Sequence, residues 1–153
     1  MTGASEDSRD ASSTAPEGVL EPGARFCVGN QTAFSARNEM DPFHFALAHG
    51  FEAFEWFSDR KGDHGIAWQQ LSPELRRRIR EQATKCSLLQ AVHAPWQASV
   101  LREDGRTALR ESIDFARDIG ASTVVVHLEA HYSASYASAL TEVARYADRK
   151  SVV

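Results

Sequence analysis

The stretch DFARDIGASTVVVHLEAH, residues 114–131, joins two kinds of secondary structure. Its first part completes an amphipathic pattern. Leu109, Ile113 and Ala116 recur at helical spacing, which predicts a helix over 103–119 with Gly120 as its stop. Its second part is a run of β-branched residues, read as a strand over 122–128. That strand closes on polar groups: His127, then Glu129, then His131 in the loop beyond. Helix, glycine, apolar strand and polar strand end form one unit of an α/β protein.

The same unit recurs upstream. RFCVGNQTAF (25–34) alternates apolar and polar residues and reads as a first strand. Asp41-Pro42 supplies an N-cap followed by a proline, and Gly50 suits the stop, which predicts a short helix over 42–49. EAFEWFSD (52–59) is a second strand. Ser72-Pro73-Glu74 opens a second helix, with Leu75, Ile79, Ala83 and Cys86 on one face. LLQAVHAP (88–95) is a third strand, halted by Pro95. Downstream, Tyr136, Leu140, Val143 and Ala147 form the inner stripe of a fourth helix over 134–149. The order is βαβαβαβα, which implies an α/β fold with a parallel sheet and right-handed crossovers. Short hydrophobic strands suit a sheet covered on both faces.

The 153 residues suffice for one domain with a sizeable core. Residues 1–24 hold five acids and one base, and almost no large apolar residue, so they read as a disordered acidic tail. The remainder carries 16 bases and 16 acids. A neutral body has no bulk attraction for nucleic acid or an anionic membrane. There is no apolar run of about 18 residues to span a bilayer, and no basic-then-apolar leader. Cys27 and Cys86 stand far apart and are read as two buried thiols of a cytoplasmic protein.

Strand alternation sorts the polar residues. Val124, Val126 and Leu128 share one face, and Thr123, Val125, His127 and Glu129 the other. His93 goes with Ala91 and Leu89; Glu55 with Ala53 and Phe57; Gln31 with Gly29 and Cys27. One face therefore carries small residues and, near each strand's C-terminal end, a polar group: Gln31, Glu55, His93 and His127. With the strands adjacent in order, about 4.8 Å apart, His93 and His127 are in reach of one ligand, metal or water. The carboxyl ends of parallel strands are where α/β proteins build their sites. A lone strand-end histidine is more often merely solvated; two on neighbouring strands, with Glu55 and Gln31 beside them, favour a site. His131 is weaker, and Glu129 is open between site and loop.

The other candidates have plainer readings. His44 and His49 satisfy local backbone groups or the helix dipole, and His64 faces solvent. The RRRIR run (76–80) is a solvated helix face rather than a phosphate-binding patch. Trp56, Trp68 and Trp96 either cap a pocket or pack the core. There is no GxGxxG after strand one, no P-loop, no nucleophile elbow and no HExxH.

VHAPW (92–96) followed by GRTALRESIDFARDIGASTVVVHLE (105–129) resembles the xylose isomerase-like TIM-barrel superfamily, which includes sugar phosphate isomerases/epimerases and the endonuclease IV enzymes. RFCVGNQTAF and FEAFEWF resemble strands one and two of that family. The resemblance covers about residues 25–149, read as a partial barrel domain over 25–153. It implies a pocket whose catalytic residues are Glu55 and His93, with Gln31, Trp96 and Glu129 binding substrate. It also implies a divalent metal (Mn, Mg, Co or Zn) at His127 and His93, the two positions that bind metal in the endonuclease branch. The implied substrate is a small sugar or sugar phosphate. Leu-Glu follows His127 where endonuclease members tend to have Pro-Gly, which weakens the nuclease reading.

A (β/α)₈ barrel runs to about 250 residues, and these four units match its N-terminal half. Three readings follow. The chain is a fragment of an isomerase/epimerase with little activity alone. Or it is a non-catalytic half barrel that pairs with itself or with a complementary half. Or it is a metal-dependent nuclease.

Overall fold

Ser72 starts a helix because its side-chain oxygen takes the N–H of Leu75 at 3.2 Å, one of the donors that a helix start leaves without a partner. Gly120 ends another because its backbone adopts φ 78°, a left-handed conformation that side chains resist. Signals of this kind divide the chain into alternating elements. The computed structural model describes residues 27–33, 35–36, 38–58, 67–127 and 133–151. Its elements are β1 (Gly29–Gln31), α1 (Asp41–Ala48), β2 (Ala53–Phe57), α2 (Pro73–Lys85), β3 (Leu89–His93), α3 (Glu103–Ile119), β4 (Thr123–Val125) and α4 (Ala134–Ser151). A 3-10 turn, Trp68–Gln70, precedes α2.

The four strands form one sheet in the order β1-β2-β3-β4, every pair parallel. The fold is therefore α/β with four βα units, as the alternation requires. Register aligns Gly29 with Ala53 and Leu89 at one level. Gln31, Glu55, Ala91 and Thr123 form the next level, and Phe57, His93 and Val125 the third.

The two faces differ. Phe54, Trp56 and Val92 are sealed beneath the helices. Phe43, Trp68 and Phe115 complete an aromatic core, with Trp68 stacked on Phe115 at 5.0 Å and Trp56 edge-on to it at 5.9 Å. Each such side chain contributes about 1.5–3 kcal/mol by leaving water. A second cluster packs α3 against α4 through Leu109, Ile113, Tyr136 and Val143. The opposite face is open: Leu89 is 56% exposed on it. The expectation of a sheet covered on both faces thus holds, among the described residues, for the helix side alone.

Local details depart from the sequence reading. β1 and β4 are shorter than 25–34 and 122–128, because each is an edge strand with a single partner to hold it. Met40, not Asp41, is the N-cap of α1; Asn38 Oδ1 accepts the Met40 N–H at 2.9 Å, and Asp41 moves into the first turn. Cys86 is the C-cap of α2 and is exposed, as is Cys27, so the buried-thiol reading is corrected. The acidic tail 1–24, Phe26, Phe34, His64, Leu128, Glu129 and His131 lie outside the described residues. No helix among the described residues is long and apolar enough to cross a membrane.

Candidate functional site

The C-terminal rim of the open face, from the second level upward, carries the chemistry. Glu55 and Phe57 project from β2, His93 ends β3, and His127 follows β4. His93 Nδ1 lies 2.9 Å from Glu55 Oε1. Its other nitrogen, Nε2, lies 2.9 Å from His127 Nε2. The Phe57 ring meets the His93 ring edge-on, centroids 4.7 Å apart at 89°. His93 is thus held on three sides, and its side chain is 19% exposed against 34% for Glu55. His127 is exposed.

Chemistry orders the protons. With Glu55 a carboxylate and His93 a neutral imidazole, Nδ1 carries the proton shared by that pair and Nε2 presents a lone pair. His127 then donates its own Nε2 proton across the 2.9 Å gap. The same arrangement suits a cation in place of that proton. Two imidazole nitrogens at about 2.0–2.1 Å from one ion stand about 2.9 Å apart at the right angle of an octahedral site and about 3.4 Å apart at the tetrahedral angle of zinc, so the gap matches the octahedral case directly. A carboxylate on the far nitrogen of a ligating histidine is the usual outer support of such a site. The fit covers two ligands: among the described residues no group of three or more His, Cys, Asp or Glu side chains gathers to hold a metal.

Glu55, His93 and His127, three residues expected at the rim, are brought into one hydrogen-bonded chain. Gln31 stands beside Glu55 in register and is exposed. Trp96 sits in the turn after β3, 62% exposed, whereas Trp56 and Trp68 are core residues. His44 and His49 are exposed; the His49 ring lies 4.1 Å from that of Phe45. Below the rim, a groove of about 690 Å³ runs over Gly29, Gln31, Ala53, Glu55, Leu89 and Ala91. A larger concavity of about 960 Å³ lies on the outer wall among α2, α3 and α4. Arg76, Arg77, Arg80 and Arg117 line it, but its charges are largely matched by Asp118, Glu81 and Asp114. The rim therefore remains the candidate, since there the polar groups face open space.

Two residues escaped the sequence reading. Arg76 is no solvated side chain: it bonds the carbonyls of Trp68 (2.6 Å) and Leu71 (3.2 Å) and the carboxylate of Asp118 (2.9 Å). Gln90 is buried on the helix side, where Oε1 accepts from Trp56 Nε1 at 2.9 Å and Nε2 donates to the Ile119 carbonyl at 2.7 Å. Its one signal in the sequence is a polar residue on the apolar side of LLQAVH.

The family described as xylose isomerase-like TIM barrel matches residues 43–153. The fold is similar to the crystal structure of a D-tagatose 3-epimerase-like protein, at 18% identity and a TM-score of 0.58, over 82% of this chain and 50% of that one. It is also similar to a xylose isomerase domain protein from Planctomyces limnophilus, at 10% identity and a TM-score of 0.57, over 82% of this chain and 51% of that one. No curated protein matches the sequence. The chain spans about half the length of the two solved structures. At these identities the likeness concerns the fold: four βα units laid out as half a barrel. With the family match across most of its length, this chain belongs to the xylose isomerase-like TIM-barrel family.

Proposed function

We propose that the chain contributes one half of a sugar or sugar-phosphate isomerase/epimerase site, with Glu55 and His93 as its catalytic groups. The observation that carries this reading is the Glu55–His93–His127 chain at the C-terminal rim of the sheet. Isomerisation and epimerisation take a proton off a carbon next to a carbonyl and return one, to the neighbouring carbon in isomerisation and to the opposite face of the same carbon in epimerisation, which needs a base within reach of that carbon. Glu55 lines the groove with a third of its side chain open, so it can accept such a proton while His93 holds its other side. His93 and His127 would hold a divalent cation (Mn, Mg, Co or Zn). When bound, that cation polarises adjacent substrate oxygens. Gln31 and Trp96 are proposed to bind substrate from the same rim; Glu129, outside the described residues, is proposed for the same role.

The epimerase and isomerase names of the structural relatives support this substrate class by fold. The open face and the edges of β1 and β4, which pair with no further strand among the described residues, support a partner half, from a second copy or a complementary chain, in completing the site. Activity of this chain alone is accordingly expected to be low or nil. Two exposed, unpaired thiols are in keeping with a reducing cytoplasm.

The test is calorimetric titration of the protein with Co²⁺ or Zn²⁺, followed by assay of ketose epimerisation with and without a complementary half. Binding of about one ion, lost on His93→Ala, supports the reading. No binding, together with no epimerisation in the completed assembly, overturns it.

A further inference from the structure

Thr32, just past β1, is 7% exposed, and its hydroxyl works in both directions on one residue. Oγ1 accepts the N–H of Phe57 at 2.8 Å and donates to the Phe57 carbonyl at 3.1 Å. The Thr32 N–H in turn donates to the carbonyl of Glu55 at 3.0 Å. Three hydrogen bonds thus clamp the chain after β1 to the last turn of the β2 ladder. β2 ends at Phe57, and both side chains that orient His93 leave β2 there: Glu55 at its Nδ1 and Phe57 against its ring.

On one side β2 is paired with β3 as far as Phe57 and His93; on the other, an edge strand three residues long has little of its own to hold the β2 end in place. A buried hydroxyl satisfied at both its donor and its acceptor supplies that restraint. A valine has the same shape and would remove both side-chain bonds at once. Serine would keep them.

We propose that Thr32 is a positioning residue of the Glu55–His93–His127 site. Its hydroxyl sets the end of β2 and, through Glu55 and Phe57, the tautomer and ring orientation of His93. This rests on the reading of the rim as a functional site.

The experiment uses the whole chain with ¹⁵N-labelled histidine and two-bond ¹H–¹⁵N correlation spectra at one fixed pH. The wild type is expected to show His93 protonated at Nδ1 and bare at Nε2. In Thr32→Val the two nitrogen resonances of His93 are expected to move toward each other by several ppm, as the second tautomer becomes populated. Thr32→Ser is expected to keep the wild-type pattern. A valine variant that melts earlier yet leaves the His93 resonances in place overturns the proposal and leaves Thr32 a purely structural cap. Should the valine variant not fold, Thr32→Ala against Thr32→Ser makes the same comparison. Glu55→Gln separates the two ideas. If it too leaves His93 unmoved, the reading of the rim fails; if it shifts His93 and the Thr32 variants do not, only the role of Thr32 fails.

Discussion

His93 Nε2 and His127 Nε2 stand 2.9 Å apart across the β3–β4 pair, although they lie 34 positions apart in the chain. That spacing suits either an N–H···N hydrogen bond or two ligands on one cation. Removing one imidazole leaves a single donor. His127→Ala is therefore expected to abolish Co²⁺ binding measurable by calorimetry at micromolar protein. A variant that binds as tightly as the wild type would place the metal elsewhere.

Glu55 touches the far nitrogen of His93, so its contribution to metal binding is indirect. Glu55→Gln keeps the shape and offers an amide where the carboxylate stood. Loss of an outer carboxylate of this kind weakens metal binding by about 10- to 100-fold. The expected outcome is a weaker Kd in that range with unchanged thermal stability. An equal loss of Tm would point to folding instead.

Gln90 makes two hydrogen bonds in a buried setting and joins Trp56 of β2 to the last residue of α3. Gln90→Leu fills the space but strips the partners of Trp56 Nε1 and the Ile119 carbonyl. Leaving buried polar groups unpaired costs about 1–3 kcal/mol each. Urea unfolding is expected to show a lower midpoint with an unchanged slope, a loss of about 2–6 kcal/mol for the two groups together.

Asp118 bridges α2 and α3. Burial pushes its carboxyl pKa up, but hydrogen bonds and charge from Arg117 and Arg76 outweigh that and hold it below the ordinary aspartate value. A folded pKa below the unfolded one stabilises the protein fully above the unfolded value of about 3.9 and loses that stabilisation as pH falls through the folded value. The side chain is 30% exposed, so the effect is expected to be modest, about 1 kcal/mol. Asp118→Asn should lower stability at pH 7 by about that amount and converge with wild type in strong acid. Parallel stability curves down to that range would contradict the assignment.

Two glycines are expected to differ in cost. A Cβ on Gly105 would overlap the Ser99 carbonyl oxygen, so α3 must shift at its first turn. Gly105→Ala is expected to cost about 1–3 kcal/mol, like other overpacked substitutions. At Gly120 the nearest atoms belong to the flexible Arg80 side chain, and the strain comes from φ 78° alone. Gly120→Ala should cost about 1 kcal/mol. Thermal unfolding of the two variants tests the ranking.

The order βαβαβαβα was legible in the sequence because its signals are local. Helical spacing places Leu109, Ile113 and Ala116, and the span Glu103–Ile119 matches the predicted 103–119. Ser72 and Gly120 mark ends through their own backbone chemistry. Strand alternation also placed Glu55, His93 and His127 on one face, since its period is independent of neighbours. The edge strands were read too long, because their length depends on a partner and not on composition.

What the sequence by itself determined about this protein is the succession of elements, the face each side chain takes and the family they belong to. Only the tertiary structure decided which groups meet. Register between β2 and β3 puts Glu55 on His93 Nδ1, and the β3–β4 pair puts His127 on Nε2. The same long-range packing buries Gln90, engages Arg76 and leaves Cys27 and Cys86 exposed. The contacts of Gln90 with Trp56 and of Arg76 with Asp118 join residues 34 and 42 positions apart. They are settled by the way strands align and helices cover a sheet, and no local pattern carries that information.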